Sequence, residues 1–95
     1  MKILALEKEL NQTHTSEFKK YANAEAEALW KLYIKGVVRE FYFREDKNLA
    51  VLILEVKNKL KAKEVLNNLP FVNKKLIEFD LIPLKPYPGF ERLFK

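Results

Sequence analysis

The order in which the hydrophobic period changes along this chain restricts its fold more than any other feature. Apolar residues alternate over residues 2–8 and then take helical spacing from Ser16 to Lys35. Two short runs rich in β-branched and aromatic residues follow, Val37 to Arg44 and Leu49 to Val56. Helical spacing returns with Ala62, Val65, Leu66 and Leu69, and a last extended run covers Leu76 to Leu84. A period of two belongs to strands and one near 3.6 to helices, so the order is β-α-β-β-α-β. Local signals mark the joints. Thr15 is placed to cap the first helix and Asn58 the second. Gly36 stands where a left-handed residue ends a helix, Glu45 to Asn48 suit a hairpin connection, and Pro70 stops the second helix.

Two β-α-β halves joined in the middle pack most simply as a four-stranded antiparallel sheet with both helices on one face. Right-handed crossovers put both helices on the same side. This is a ferredoxin-like α+β arrangement, with the first and third strands in the centre. Ninety-five residues make one domain, residues 1–95. The segment 85–95 carries Tyr87, Phe90 and Phe94 and is too aromatic for a free end. It is expected to cap the domain or to clasp a partner subunit.

Helices on one face leave the other to be explained. The strand pattern assigns Leu4, Leu6, Phe41, Phe43, Leu52, Leu54, Val56, Ile77, Phe79 and Leu81 to the helix side. The opposite side then holds Ile3, Ala5, Glu7, Glu40, Tyr42, Arg44, Val51, Ile53, Glu55, Glu78, Asp80 and Ile82. Its centre is apolar. Leaving such side chains in water forgoes roughly 1.5–3 kcal/mol for each large one that could be buried, and apolar patches of this kind mark interfaces or ligand sites. Two such sheets face to face would form a barrel, so self-pairing into a homodimer or a higher homo-oligomer is expected.

Composition narrows the function classes. There is no Cys and a single His, His14, so disulfides and thiolate metal sites are excluded and a zinc site would need carboxylates for nearly all its ligands. No metal or organic cofactor is expected. No apolar run approaches the roughly 20 residues of a membrane span, and charge enters the N-terminal stretch too early for a signal-peptide core; a cytoplasmic protein is the default. The net charge of +5 comes largely from lysines such as Lys57, Lys59, Lys61, Lys63, Lys74 and Lys75, which read as a solvated basic surface. Nucleic acid is an unfavoured partner. RNA-recognition domains of this topology stack bases on aromatics of the central strands, whereas Leu49 to Val56 is aliphatic and acidic and residues 2–8 contain no aromatic.

The ending Ile82-Pro83-Leu84-Lys85-Pro86-Tyr87-Pro88-Gly89-Phe90 and the stretch Gly36-Val37-Val38-Arg39-Glu40-Phe41-Tyr42-Phe43-Arg44, within this element order, resemble the muconolactone isomerase-like proteins of the dimeric α+β barrel superfamily. The resemblance implies a homodimer binding a small organic metabolite between sheet and helices or within the barrel; its members include isomerases, monooxygenases and proteins of unknown activity, and a cofactor-free isomerisation is the candidate reaction. It carries no catalytic residue across by motif, so the candidates come from the residues themselves. A proton shift beside a carbonyl needs a base near the C–H and a group to steady the enolate oxygen. Glu55, Glu7, Glu40 and Asp80, with Glu78, are the candidate bases, and Tyr42 or Arg44 can meet the anion. The alternative for these charges is pairing across a subunit boundary. His14 in the loop before the first helix, and Tyr87 and Phe90 in the tail, are further ligand-binding candidates, beside Arg39, Arg92 and Phe94. Trp30 and Tyr33 are expected in the helix-face core. A non-catalytic homodimeric binding or scaffolding module is the competing reading. An enzyme should place a carboxylate of perturbed pKa at a mostly apolar cavity; a scaffold should have its inner charges paired and no such cavity.

Overall fold

The computed structural model of the chain describes residues 1–8, 10 and 15–95. It contains β1 (Lys2–Lys8), α1 (Thr15–Ile34), β2 (Val38–Phe43), β3 (Ala50–Glu55), α2 (Lys59–Asn67), a short α3 (Pro70–Asn73), β4 (Glu78–Leu84) and a 3₁₀ segment, Gly89–Phe94. The strands form one sheet in the order β2-β3-β1-β4 with every pairing antiparallel. The first and third strands are central, as the topology requires. No described helix is long and apolar enough to cross a membrane.

The joints follow local chemistry. Gly36 takes φ 75°; its N–H donates to the Tyr33 carbonyl and the Val37 N–H to that of Leu32, each at 2.9 Å. These two bonds close α1 as a Schellman motif. The Asn58 side chain accepts from the Lys61 N–H at 2.8 Å and starts α2. Pro70 does more than stop that helix. It occupies the first turn of α3, where its fixed φ is an advantage and its missing N–H costs nothing. Lys75 then adopts φ 61°, a left-handed conformation that side chains with a Cβ adopt at a cost, and the chain turns into β4, two residues later than the apolar run predicts.

Two side-chain assignments are corrected. In β1 the buried residues are Ile3 and Ala5, both 0% exposed, paired with Leu54 and Leu52. Leu4 and Leu6 therefore point away from the helices, and Glu7 points toward them. Four consecutive apolar residues, 3 to 6, leave the phase of this strand undetermined by polarity. The lysines at positions 2 and 8, in phase with Leu4 and Leu6, were the available cue. In α1 the face turned to the sheet is Phe18, Tyr21, Glu25, Ala28, Leu29 and Leu32. Trp30, expected in the core, is 61% exposed, and Tyr33 and Ile34 are exposed beside it. Tyr33 instead meets Phe41 edge-on at 5.7 Å at the margin of β2.

The core is Ile3, Ala5, Val38, Leu52, Leu54, Ala62, Leu66 and Leu69, between the sheet and the two longer helices. A bulge between Val38 and Glu40 lets both Val38 and Phe41 face the helices. The opposite face holds Leu4, Leu6, Val51, Ile53, Ile82 and Leu84, none of them fully buried. The tail leaves the domain. Its side chains are exposed up to Phe94 at 85%. The radius of gyration is 15.4 Å, against about 12 Å for a compact chain of this length.

Candidate functional site

The candidate residues of the open face do not converge. Glu40 accepts a 2.7 Å hydrogen bond from the Tyr42 hydroxyl at the β2 margin, which raises the phenol pKa. Asp80 pairs with Lys8 at 3.0 Å at the other margin. Glu55 is tied to the N-terminal ammonium at 2.8 Å, and that bond holds its carboxyl below the ordinary range, which makes it a weaker base. Arg44 grips Asp46 through two hydrogen bonds of 2.9 and 2.6 Å. Arg39 donates to the Gly36 carbonyl at 2.6 Å. Glu78 lies on the face with Asp80. These charges ring an apolar centre. Tyr87 and Phe90 pack against each other in the tail, with centroids 5.1 Å apart, and both are exposed. His14 lies outside the described residues.

Glu7 is the exception, because the corrected phase of β1 moves it beneath the helices. It lines a cavity of about 410 Å³ together with Phe18, Lys19, Ala22, Phe43, Asn48, Phe71 and Ile77. The walls are mostly apolar, with Phe18 and Phe71 edge-to-face at 5.1 Å. Phe43 is 71% exposed at the mouth. The Glu7 carboxylate accepts a 3.1 Å bond from the Ala50 N–H. Desolvation raises its pKa above 4.5, and that hydrogen bond only partly opposes the rise.

Behind it stands Glu25, which sequence reasoning missed. Glu25 is 6% exposed, the one buried charged side chain among the described residues. It accepts from the Phe71 N–H at 2.9 Å, fixing α3 against α1. Its pKa is raised, first by burial and also by the charge of Glu7, against the lowering effect of the Phe71 bond. The helical period carries a signal for it, since position 25 falls on the stripe 18, 21, 28 and 32 and is the charge on an otherwise apolar side. Among the described residues no three metal-ligating side chains come together.

The raised pKa values give a signed expectation. A carboxyl whose folded pKa exceeds its unfolded value makes the folded state bind more protons in that window, so stability falls as pH rises through it. Glu25→Gln keeps an oxygen to accept from Phe71 and removes the charge. Its melting temperature at neutral pH should rise by roughly 2–6 °C, and the decline above pH 4.5 should flatten. Thermal unfolding followed against pH measures both.

With this geometry in place, comparison with known proteins is informative at one level. No family model matches the sequence, and no curated protein matches it. Among solved structures, muconolactone isomerase superposes with a TM-score of 0.75 at 14% identity, over 94% of this chain and 93% of that one. The chain has the fold of muconolactone isomerase. The same fold is seen in 5-chloro-2-hydroxyhydroquinone dehydrochlorinase from Burkholderia phenoliruptrix, solved with 2,5-dihydroxybenzoquinone; it superposes with a TM-score of 0.70 at 17% identity, over 94% of this chain and 98% of the other. Identities this low establish a common fold, and fold alone does not carry a reaction.

Proposed function

We propose that this chain is a homodimeric α+β barrel protein that binds a small oxygenated ring compound in the Glu7 cavity and isomerises it without a cofactor. The half-buried Glu7 carboxylate of raised pKa at a mostly apolar cavity carries the reading. A carboxylate raised above its ordinary pKa is a stronger base. It takes a proton from carbon beside a carbonyl, the C–H electrons move to the carbonyl oxygen as an enolate, and Glu7 returns the proton at another carbon of the conjugated system. Lys19 and Asn48, which also line the cavity, would steady the enolate oxygen. The names of the two similar structures, one an isomerase of a lactone and one a dehydrochlorinase of a hydroxyhydroquinone, support ligands of this class.

Pairing rests on the open face, where Leu4, Leu6, Val51, Ile53, Ile82 and Leu84 remain partly or largely exposed in the single chain. The exposed aromatic tail would then clasp the second subunit. A scaffolding dimer is the competing reading, favoured by the paired state of Glu40, Glu55 and Asp80. The Glu7 cavity weighs against it.

A panel of lactones, phenols and hydroxyquinones tests the proposal by thermal shift and amide chemical-shift mapping. A ligand of the stated class should raise the melting temperature and move the signals of Phe18, Phe43, Asn48 and Phe71. If no compound moves these signals at millimolar concentration, the cavity is not a ligand site and the scaffold reading prevails.

A further inference from the structure

A second concavity lies along the free edge of β4, with a volume of about 700 Å³; of its lining residues only Ile77 also lines the Glu7 cavity. Its polar wall carries Lys59, Lys63 and Asn67 from α2, with Lys75 at its end, and its apolar floor is Val72, Ile77, Phe79 and Leu81. The lysines of α2 alternate in sequence, and the helix separates them. Lys59 and Lys63, four apart, share one face and line the groove, whereas Lys61 forms an ion pair with Glu64 at 3.7 Å. Asn67 continues the same face one turn further on. Among the described residues neither Lys59, Lys63 nor Lys75 has an ion-pair partner. Two carboxylates, Glu78 and Asp80, also border the groove, and Asp80 is engaged by Lys8. The balance of unpaired charge is positive.

Two features of the backbone make this arrangement costly for a merely solvated surface. The first turn of α2 contains no acidic residue and instead carries lysines where the helix dipole already concentrates positive potential. Lys75 adopts a left-handed conformation, φ 61°, that glycine would adopt more easily. An anion in the groove would offset the first cost, and the Lys75 ammonium would make use of the second.

We infer that the β4 groove is a binding site, separate from the Glu7 cavity, for an amphiphilic organic anion: a carboxylate or phosphate met by Lys59, Lys63 and Lys75, with an apolar body lying over Phe79 and Leu81. Compounds of the two head groups differ only in what the lysines hold, so both belong in the test.

Octanoate, octyl phosphate, octanol and inorganic phosphate are titrated into the full chain by amide chemical-shift mapping. Octanoate or octyl phosphate should saturably move Lys59, Lys63, Lys75, Phe79 and Leu81, and leave Phe18 and Phe43 in place. Octanol and inorganic phosphate should each bind at least about tenfold more weakly. The double variant Lys59→Gln, Lys63→Gln keeps helix-compatible side chains and should lose about 5- to 30-fold in affinity. Lys75→Gly should bind more weakly while melting at a higher temperature, which separates loss of a ligand contact from loss of structure. Octanol binding as tightly as octanoate would show a simple apolar surface, and inorganic phosphate doing so would show loose charge attraction; either result overturns the inference. So does a groove whose signals shift with protein concentration alone, which would make it a subunit contact. Failure here with a ligand still found at Phe18 and Phe43 leaves the Glu7 reading intact.

Discussion

Replacing Ile53 with Glu should turn the proposed dimer into monomers, with a loss in association constant of at least about 100-fold. Ile53 sits on β3 opposite Leu4 of β1 and Glu40 of β2, on the open face of the sheet. In a single chain the half-buried side chain at this position can reach water, so the domain should keep its fold and melt lower by no more than the stabilisation that pairing supplies. In a pair of facing sheets the same carboxylate is buried against Leu4, Leu6 and their counterparts, near a second carboxylate at Glu40. Burying an unpaired charge costs far more than an apolar contact returns. Sedimentation at micromolar concentration reads the outcome, and the amide spectrum checks the fold. A wild-type chain that sediments as a monomer, or an Ile53→Glu variant that remains dimeric, removes the barrel.

The order of elements was legible because each changes period and each joint carries its own chemistry: Gly36 closing α1 and Asn58 opening α2 are both as their residue types require. Orientation within an element was legible only where polarity broke the tie. β3 also runs four apolar residues together, Val51 to Leu54, but Glu55 shares the phase of Val51 and Ile53 and marks that side as the outer one; Leu52 and Leu54, the inward side so expected, are buried. β1 offers Ile3, Leu4, Ala5 and Leu6 in succession, so either face looks burial-competent. What decides is packing: small Ala5 lies buried beneath the helices while the bulkier Leu4 and Leu6 are turned outward. α1 shows the same limit. Trp30 and Tyr33 outweigh Glu25 in any sum of hydrophobicity, yet the bond from the Phe71 N–H to Glu25 satisfies a buried carboxylate in a way that no pattern along α1 reveals. Its partner lies 46 residues away. The candidate site was therefore half visible. Glu7 was among the candidate bases for a role on the wrong face, and its actual surroundings come from α1, β2, β3 and α3, which only the fold brings together.

Glu7→Gln tests those surroundings most sharply. On whichever lactone, phenol or quinone the panel identifies as substrate, turnover should fall by about 10²- to 10⁴-fold, the usual worth of a positioned general base. The amide oxygen can still accept from the Ala50 N–H, as the carboxylate does at 3.1 Å, so the end of β3 stays anchored and ligand affinity should change no more than a few-fold. Melting temperature at neutral pH should hold or rise, because the substitution removes a charge that burial disfavours. The pH profile separates chemistry from structure. In the wild-type chain kcat/KM should climb with pH through the raised pKa of Glu7, above 4.5, as the base ionises; in the variant that rising limb should vanish, leaving a low, flat rate. Full turnover in Glu7→Gln with the limb intact would place the base elsewhere. A fall in melting temperature matching the fall in rate would reduce Glu7 to a structural tie on Ala50.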